Sequence, residues 1–421
     1  MTRDDARQRE RDRSRKAILV LTPQFPYPPH QGTTLRNYNL VSELAKRHDV
    51  YLLSFGQQEE SQGTPLDRLC RAVQVVSQPQ RSMWQRVVGL VTTRLPDMAQ
   101  RLPSDEFAAA LERFLEQQDL DIVQVEGIVL AQYLFHVTES RDPAGRLLVV
   151  FDDHNAEFVM QQRAFETDIR QPRRWIAAAY SLVQWRRLRC YEYQACMAAD
   201  RVVAVSDTDA AALRQLDPGL EPYVVPNGVD LKFCSEAFQP LSEHQAPSTQ
   251  DLVFVGKMDF RPNVDAVLWF AHKVLPLIRQ KVPEARLWVV GKDPHPRLAS
   301  LQEDPAVVLT GWVEDVRPYI AGASVYVIPL RIGGGTRLKV LEAMGMGRAI
   351  VSTSLGCEGF DLVAGRDLIL ADEPEAFASA TVSLLNDAAK REELGSAARR
   401  FAARYDWRNI VPLMEEVYSG E

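Results

Sequence analysis

The chain has 421 residues, 46% of them hydrophobic and 25% charged, with a formal net charge of −7. That length favours two domains over a single core, the composition is that of a globular protein, and the acidic balance speaks against bulk binding of nucleic acid. No apolar run approaches the ~18 residues of a membrane-spanning helix. The opening MTRDDARQRERDRSRK is polar throughout, which predicts a disordered tail over residues 1–15, no secretory segment and a cytoplasmic protein. Five scattered cysteines without C-x-x-C spacing predict reduced, mostly buried thiols and no zinc site.

From residue 16 onward, short apolar runs alternate with helical patterns. They are KAILVLTP, DVYLLSF, DIVQVEG, RLLVVFDD, RVVAVS and PYVVPNG, followed by DLVFVGK, ARLWVVGK, AVVLTGW, ASVYVIPL and RAIVST. Apolar strands separated by helices predict an α/β fold of two Rossmann-like, doubly wound domains with parallel sheets. The stretch between Asp230 and Asp251 is polar, contains Pro240 and Pro247, and reads as the linker. The expected domains are thus 16–235 and 236–404, with a helix over 405–421 packing back on the first. Helices are expected at Leu35–Arg47, after the loop PPHQGTT, and at Val264–Lys281, whose Trp269, Phe270, Val274, Leu275 and Ile278 read as core.

Parallel sheets bind ligands at the carboxyl ends of their strands, and in a two-domain arrangement the cleft between domains is the expected place. In the first half the strand ends carry Gln31 and Gly32, then Glu126, then Asp152, Asp153, His154 and Asn155. In the second half they carry Lys257 with Arg261, Lys292 with Asp293, and Gly333, Gly334, Gly335 and Thr336. The last group belongs to IPLRIGGGTRLKVLEAMGMG, a glycine loop feeding a helix. Free N–H groups and the positive end of the helix dipole suit a phosphate there, and Arg337 and Lys339 add full charge. Glu342, further along, could accept hydrogen bonds from sugar hydroxyls. A tight turn with a solvated basic face is the plainer account of the same residues.

The order and spacing of HQGTT, VVPNGVD, FVGKMDFRPNVDAVLWF, WVVGKDP, LTGWVEDVRPYIAGASVYVIPL, GGGTRLKVLEAMGMGRAIVST and YDWRNIVPLMEEVY resemble the retaining glycosyltransferases of family 4, which have the GT-B fold. The C-terminal half looks closest to a bacterial subgroup associated with exopolysaccharide and cell-envelope polysaccharide assembly. The resemblance implies a nucleotide diphosphate sugar as donor, a glycan or polyprenyl-linked acceptor, and no cofactor or metal. It places His154 beside the reacting sugar, Gln31 and Gly32 near the β-phosphate, and Glu126, Asp153 and Asn155 on the acceptor side. Of the two cations that grip the donor diphosphate in the family, Lys257 holds the first place, while the second, usually lysine, is Asn263. The second acid of the family's Glu-x7-Glu motif, which binds ribose, is Glu342; the first falls at Gly334. Two departures therefore remove one cation and one anion. Arg337 and Lys339 are candidates to restore charge, Arg337 being the stronger because a guanidinium fork matches phosphate oxygens, with Arg261 and Lys292 nearby on the donor side.

The rival readings are a sugar-nucleotide epimerase of the same architecture and a non-catalytic nucleotide- or glycan-binding subunit, the latter suggested by Gly334. A dinucleotide oxidoreductase fits poorly, because TPQFPYPPHQG is too long and proline-rich for a G-x-G-x-x-G turn. Between Arg163 and Arg189, seven arginines stand against two acids, with Trp175 and Trp185 among them. Such a segment suits peripheral contact with the inner face of a membrane as well as it suits a solvated helix.

Overall fold

The computed structural model describes residues 15–29, 32–141, 147–242, 246–333 and 337–420. Gln31, Gly334, Gly335 and Thr336 lie outside the described residues, as does the expected tail up to residue 14; Arg15 is already tied to Asp49 at 3.0 Å.

The chain divides into two compact units. The first holds the chain up to Pro226 and from Trp407 onward, and the second spans Asn227–Asp406. The sequence reading set this boundary at 235/236. The difference has a local cause: Val229 donates its N–H to the Tyr405 carbonyl at 2.8 Å, and Leu231 and Cys234 pack over Gly345, so PNGVD and the turn of helix after it belong to the second unit.

The described strands of the first unit are β1 (Ala17–Thr22), β2 (Asp49–Phe55), β3 (Ala72–Val76), β4 (Ile122–Glu126), β5 (Leu148–Asp153), β6 (Arg201–Ala204) and β7 (Tyr223–Val224). They form one parallel sheet in the order β3-β2-β1-β4-β5-β6-β7. Those of the second unit are β8 (Leu252–Val255), β9 (Leu287–Val290), β10 (Val307–Gly311), β11 (Val325–Ile328), β12 (Ala349–Ser352) and β13 (Ile369–Leu370), also parallel, in the order β10-β9-β8-β11-β12-β13. β8, β9, β11 and β12 are buried at every position, as strands covered by helices on both faces must be.

Helices that matter below are α1 (Gly32–Leu44), α2 (Met83–Thr92), α3 (Glu157–Ile169), α4 (Trp175–Ala198), α5 (Arg261–Trp269), α6 (Leu338–Gly345) and α7 (Trp407–Ser419). α1 starts three residues before the expected Leu35. The long helix expected over Val264–Lys281 is interrupted: α5 passes into a π-helical turn, Phe270–Val274, and then a short α-helix, Leu275–Arg279. Pro276 has no N–H to bond the carbonyl four residues back, so the ladder re-forms around it. The apolar positions still turn inward; Phe270, Val274, Leu275 and Ile278 are buried.

In each sheet the strand order reverses direction once, between β1 and β4 and between β8 and β11. Connections on the two sides of such a point leave in opposite directions and open a crevice at the carboxyl edge. Both groups of candidate residues occupy these places.

Candidate functional site

In the second unit, β8 ends at Val255 and the chain runs through Gly256 to Lys257. Gly256 donates to Val290 at 3.0 Å, and Met258 donates to the Lys292 carbonyl at 3.0 Å, so the loops after β8 and β9 are laced together. α5 follows with Pro262 in its first turn and brings Asn263 back over the strand end. The Asn263 amide nitrogen donates to the Lys257 carbonyl at 2.8 Å, and its oxygen accepts from the Lys339 ammonium at 2.9 Å. Lys339 reaches this place from the first turn of α6 and lies over the Phe254 ring, 4.3 Å from its centroid. A Cβ on residue 256 would come within 2.7 Å of the Asn263 amide and 2.9 Å of the Lys339 ammonium, so glycine leaves room for both.

Burial, and then the neighbouring charge of Arg337, bring the Lys339 ammonium down to about 7, while Glu342 pulls the other way. Glu342 stands one turn further along α6; burial pushes its carboxyl up and Lys339 draws it back. Arg337 holds the N-cap position of α6 without a capping side-chain bond, its guanidinium close to Gly333. Lys257 pairs with Asp259 at 3.1 Å and keeps about half of its side chain in solvent, at 44%. Lys257, Asn263, Arg337, Lys339 and Glu342 thus collect at the switch point of this sheet. Arg261, at the start of α5, and Lys292, after β9, border it. Where the resemblance leads one to expect a lysine at position 263, a lysine from another helix occupies the neighbouring space. On this geometry Lys339, rather than Arg337, stands next to Asn263.

In the first unit, β4 delivers Glu126 and β5 delivers Asp152, Asp153 and His154. His154 Nε2 lies 2.6 Å from Glu126 Oε2. Glu126 also accepts from the Gln124 amide, and Gln124 accepts from the Tyr418 hydroxyl of α7. Gly127, at φ 79°, allows the chain to turn sharply after β4 beside the His154 ring. Glu126 is only 1% exposed, which runs against its expected acceptor-side role: its buried carboxylate is engaged by His154. Asp153 runs against its expected role likewise. It is 1% exposed and turned inward beside Glu192, which receives the N–H groups of Glu157 and Phe158 at 2.8 and 2.9 Å and thereby caps α3. Burial, with the neighbouring Glu192 carboxylate, pushes Asp153 well above the carboxylate range, and burial pushes Glu192 up to about 8. Asn155 is half-buried and hydrogen-bonds Glu157. Gly32 is exposed at the first position of α1.

Sequence reasoning missed Arg36, Gln124, Glu192 and Tyr418. Arg36 is 1% exposed; its guanidinium donates to Asp152 Oδ2 at 2.7 and 3.0 Å and to the Pro226 carbonyl at 3.2 Å. Its signal was available: Arg36 precedes Leu40 and Leu44 by one and two turns, on the face of α1 that is buried. Gln124, a polar residue inside an apolar central strand, was a second signal. Glu126, Asp152 and His154 bring three potential metal-ligand atoms within 4.8 Å of one another. Two of the groups are committed, Glu126 to His154 and Asp152 to a guanidinium whose positive charge opposes a cation, so this cluster fits a metal poorly.

Residues 31–233 match the family model described as Glycosyltransferase Family 4, and residues 249–387 match the one described as Glycosyl transferases group 1. The chain is 21% identical, over 416 residues, to an uncharacterized 44.6 kDa protein in the cps region of Klebsiella pneumoniae, covering 93% of this chain and 97% of that one. It is 28% identical over 225 residues to a phosphatidyl-myo-inositol mannosyltransferase of Mycobacterium leprae, covering 51% of this chain and 58% of the relative. Among solved structures, sucrose-phosphate synthase from Thermosynechococcus elongatus superposes with a TM-score of 0.71 at 18% identity, over 96% of this chain and 99% of the other. Anabaena HepE in complex with UDP-glucose superposes at 0.61 and 15% identity, over 96% and 100%. At such identities the structural likeness is one of fold.

Proposed function

The chain belongs to the group 1 and family 4 glycosyltransferases, which move a sugar from a nucleotide sugar, and from that premise we propose a retaining, metal-independent hexosyl transfer to a glycan or lipid-linked hydroxyl in cell-surface polysaccharide synthesis. The observation that carries the reading is the Lys339 ammonium seated 2.9 Å from Asn263, beside the Lys257 main chain. It supplies a second cation at the switch point where a diphosphate would lie. The kinship with a cps-region protein supports the biological setting, and UDP and UDP-glucose in the HepE structures support a nucleoside diphosphate donor.

In the proposed reaction the bond between the anomeric carbon and the diphosphate oxygen breaks, and the electron pair leaves with the diphosphate. Lys257, Lys339 and Arg337 stabilise the negative charge that gathers there. The acceptor hydroxyl oxygen forms the new bond on the face the diphosphate vacates, and its proton passes to a leaving-group phosphate oxygen. His154, held by Glu126, orients the reacting sugar, and Glu342 receives the ribose hydroxyls. Preorganised cations do the work a divalent ion does elsewhere, so turnover persists in excess chelator.

Thermal shift against a panel of nucleoside diphosphates and their sugars tests the reading, because specific binding stabilises the folded state with the logarithm of ligand excess. One diphosphate and its sugars should raise Tm, and hydrolysis or transfer of that sugar should follow. A rise in Tm with no turnover towards any acceptor or water would favour the non-catalytic subunit, the reading that Gly334 in place of the family's first acid supports. Interconversion of the sugar on its nucleotide would favour the epimerase.

A further inference from the structure

Helix α2 carries Trp84, Val88 and Val91 at one and two turns' spacing, 79%, 51% and 81% exposed. At the turn between α3 and α4, Trp175 and Ile176 are 61% and 90% exposed. The segments that carry these two apolar groups are linked. The Arg86 side chain of α2 hydrogen-bonds the Tyr180 hydroxyl of α4, and the Leu90 carbonyl of α2 accepts from Arg187 at 2.8 Å. Residues 86 and 90 thus meet residues 180 and 187 in the same order. Two arginine side chains tie α2 to α4.

The segments that carry this surface are rich in cations. From Arg81 to Pro96 there are three arginines and no acid, and Arg163 to Arg189 contributes seven arginines against two acids, in a chain whose net charge is −7. Of the acids within or next to these segments, Asp97 pairs with Arg81 at 2.9 Å, Asp168 pairs with Arg174 at 3.0 Å, and Glu166 accepts from Gln162 at 2.8 Å. Arg170 and Arg173 are exposed beside Trp175.

Exposed tryptophans and β-branched residues face an unfavourable contact with water, and apolar patches of this kind on arginine-rich segments mark binding surfaces. We propose that the Trp84–Val91 stripe of α2 and the Trp175–Ile176 tip of α4 together form a docking surface for a bilayer containing anionic lipid. Indole rings settle at the level of the headgroups, aliphatic side chains reach the acyl boundary, and the arginines pair with lipid phosphates. A second copy of the chain fits less well, because it would bring the same positive charge against itself. The inference concerns this surface alone and does not depend on the identity of donor or acceptor.

The test is cosedimentation of the full chain with phosphatidylcholine vesicles and with vesicles of phosphatidylcholine mixed equally with phosphatidylglycerol. Two double variants accompany it: Trp84→Glu with Val91→Glu, and Trp175→Glu with Ile176→Glu. All four side chains are exposed, so thermal unfolding should match wild type. The protein should pellet with the anionic vesicles only, and each double variant should lower the bound fraction roughly tenfold or more, while donor-induced thermal shift stays unchanged. Binding by neither vesicle, equal binding by the folded variants, or variants that abolish self-association in light scattering without altering vesicle binding would each overturn the proposal. Loss of donor response alone would count against the transferase reading and leave this one standing.

Discussion

The Lys339 ammonium lies 2.9 Å from the Asn263 carbonyl oxygen, while the same amide donates to the Lys257 main chain at 2.8 Å. One asparagine therefore ties a cation from α6 to the loop after β8. Against the lysine that the resemblance leads one to expect at position 263, the proposed function has the charge supplied from another helix.

In the proposed reaction Glu126 acts through His154. Glu126→Gln keeps the shape of the side chain and removes the charge from a contact of 2.6 Å. A hydrogen bond to a charged, buried group contributes about 1.5–3 kcal/mol, so kcat should fall roughly ten- to hundredfold. The affinity for the nucleoside diphosphate should not change, because none of this group belongs to the cation cluster. Stopped-flow or steady-state transfer beside calorimetric binding of the diphosphate checks the split. Equal loss of both would mean that the variant had disturbed the whole protein.

Burial makes Lys339 a pH-sensitive donor ligand. Its ammonium is brought down to about 7 from 10.5, chiefly by desolvation. A diphosphate binds the protonated form, so above about pH 7 binding must take up a proton, and Kd should rise by up to roughly tenfold per pH unit. Lys339→Arg removes the titration and should flatten this dependence. The same shift has the opposite sign for the unliganded fold. Between about 7 and 10.5 the unfolded chain binds the extra proton, so stability from this group grows as pH rises through that window. Calorimetry of diphosphate binding across the neutral range, in both proteins, decides it; parallel slopes would remove Lys339 from the phosphate site.

Arg36 and Asp152 are a buried pair, with side chains 2% and 0% exposed. Breaking such a pair from one side leaves an uncompensated charge and costs about 3–5 kcal/mol. Arg36→Ala should accordingly lower the urea midpoint of the first unit far more than the double change Arg36→Met with Asp152→Leu, which leaves no orphaned charge. A single variant as stable as the double would show that the site is already hydrated.

The sheets were legible because strands covered on both sides must be almost wholly apolar, as LVFV and VYVI are. The strand-end rule placed His154, Lys257 and the helix carrying Lys339 and Glu342 without any coordinates. What it could not supply was direction. Glu126 and Asp153 sit at strand ends as required, yet both point inward, because alternate side chains of one strand face opposite sides and the carboxyl edge is itself partly covered. Nor could spacing reveal that Tyr418, 294 positions from Gln124, closes the network under His154. The contact of Lys339 with Asn263 spans 76 positions and depends on the absence of a side chain at Gly256.

The central claim is that Lys339 supplies the cation missing from position 263. Transfer rates of Lys339→Ala, Asn263→Lys and the double variant test it most directly. Lys339→Ala should lower kcat/KM roughly ten- to hundredfold, the scale of one charge-assisted bond to phosphate. Asn263→Lys alone should also impair transfer, since it sets two ammonium groups against each other beside Gly256. The double variant, with one lysine restored on α5, should recover activity above either single change. If Lys339→Ala transfers sugar at the wild-type rate, or the folded double variant is no better than the worse single one, the two positions do not share a cation and the account is contradicted.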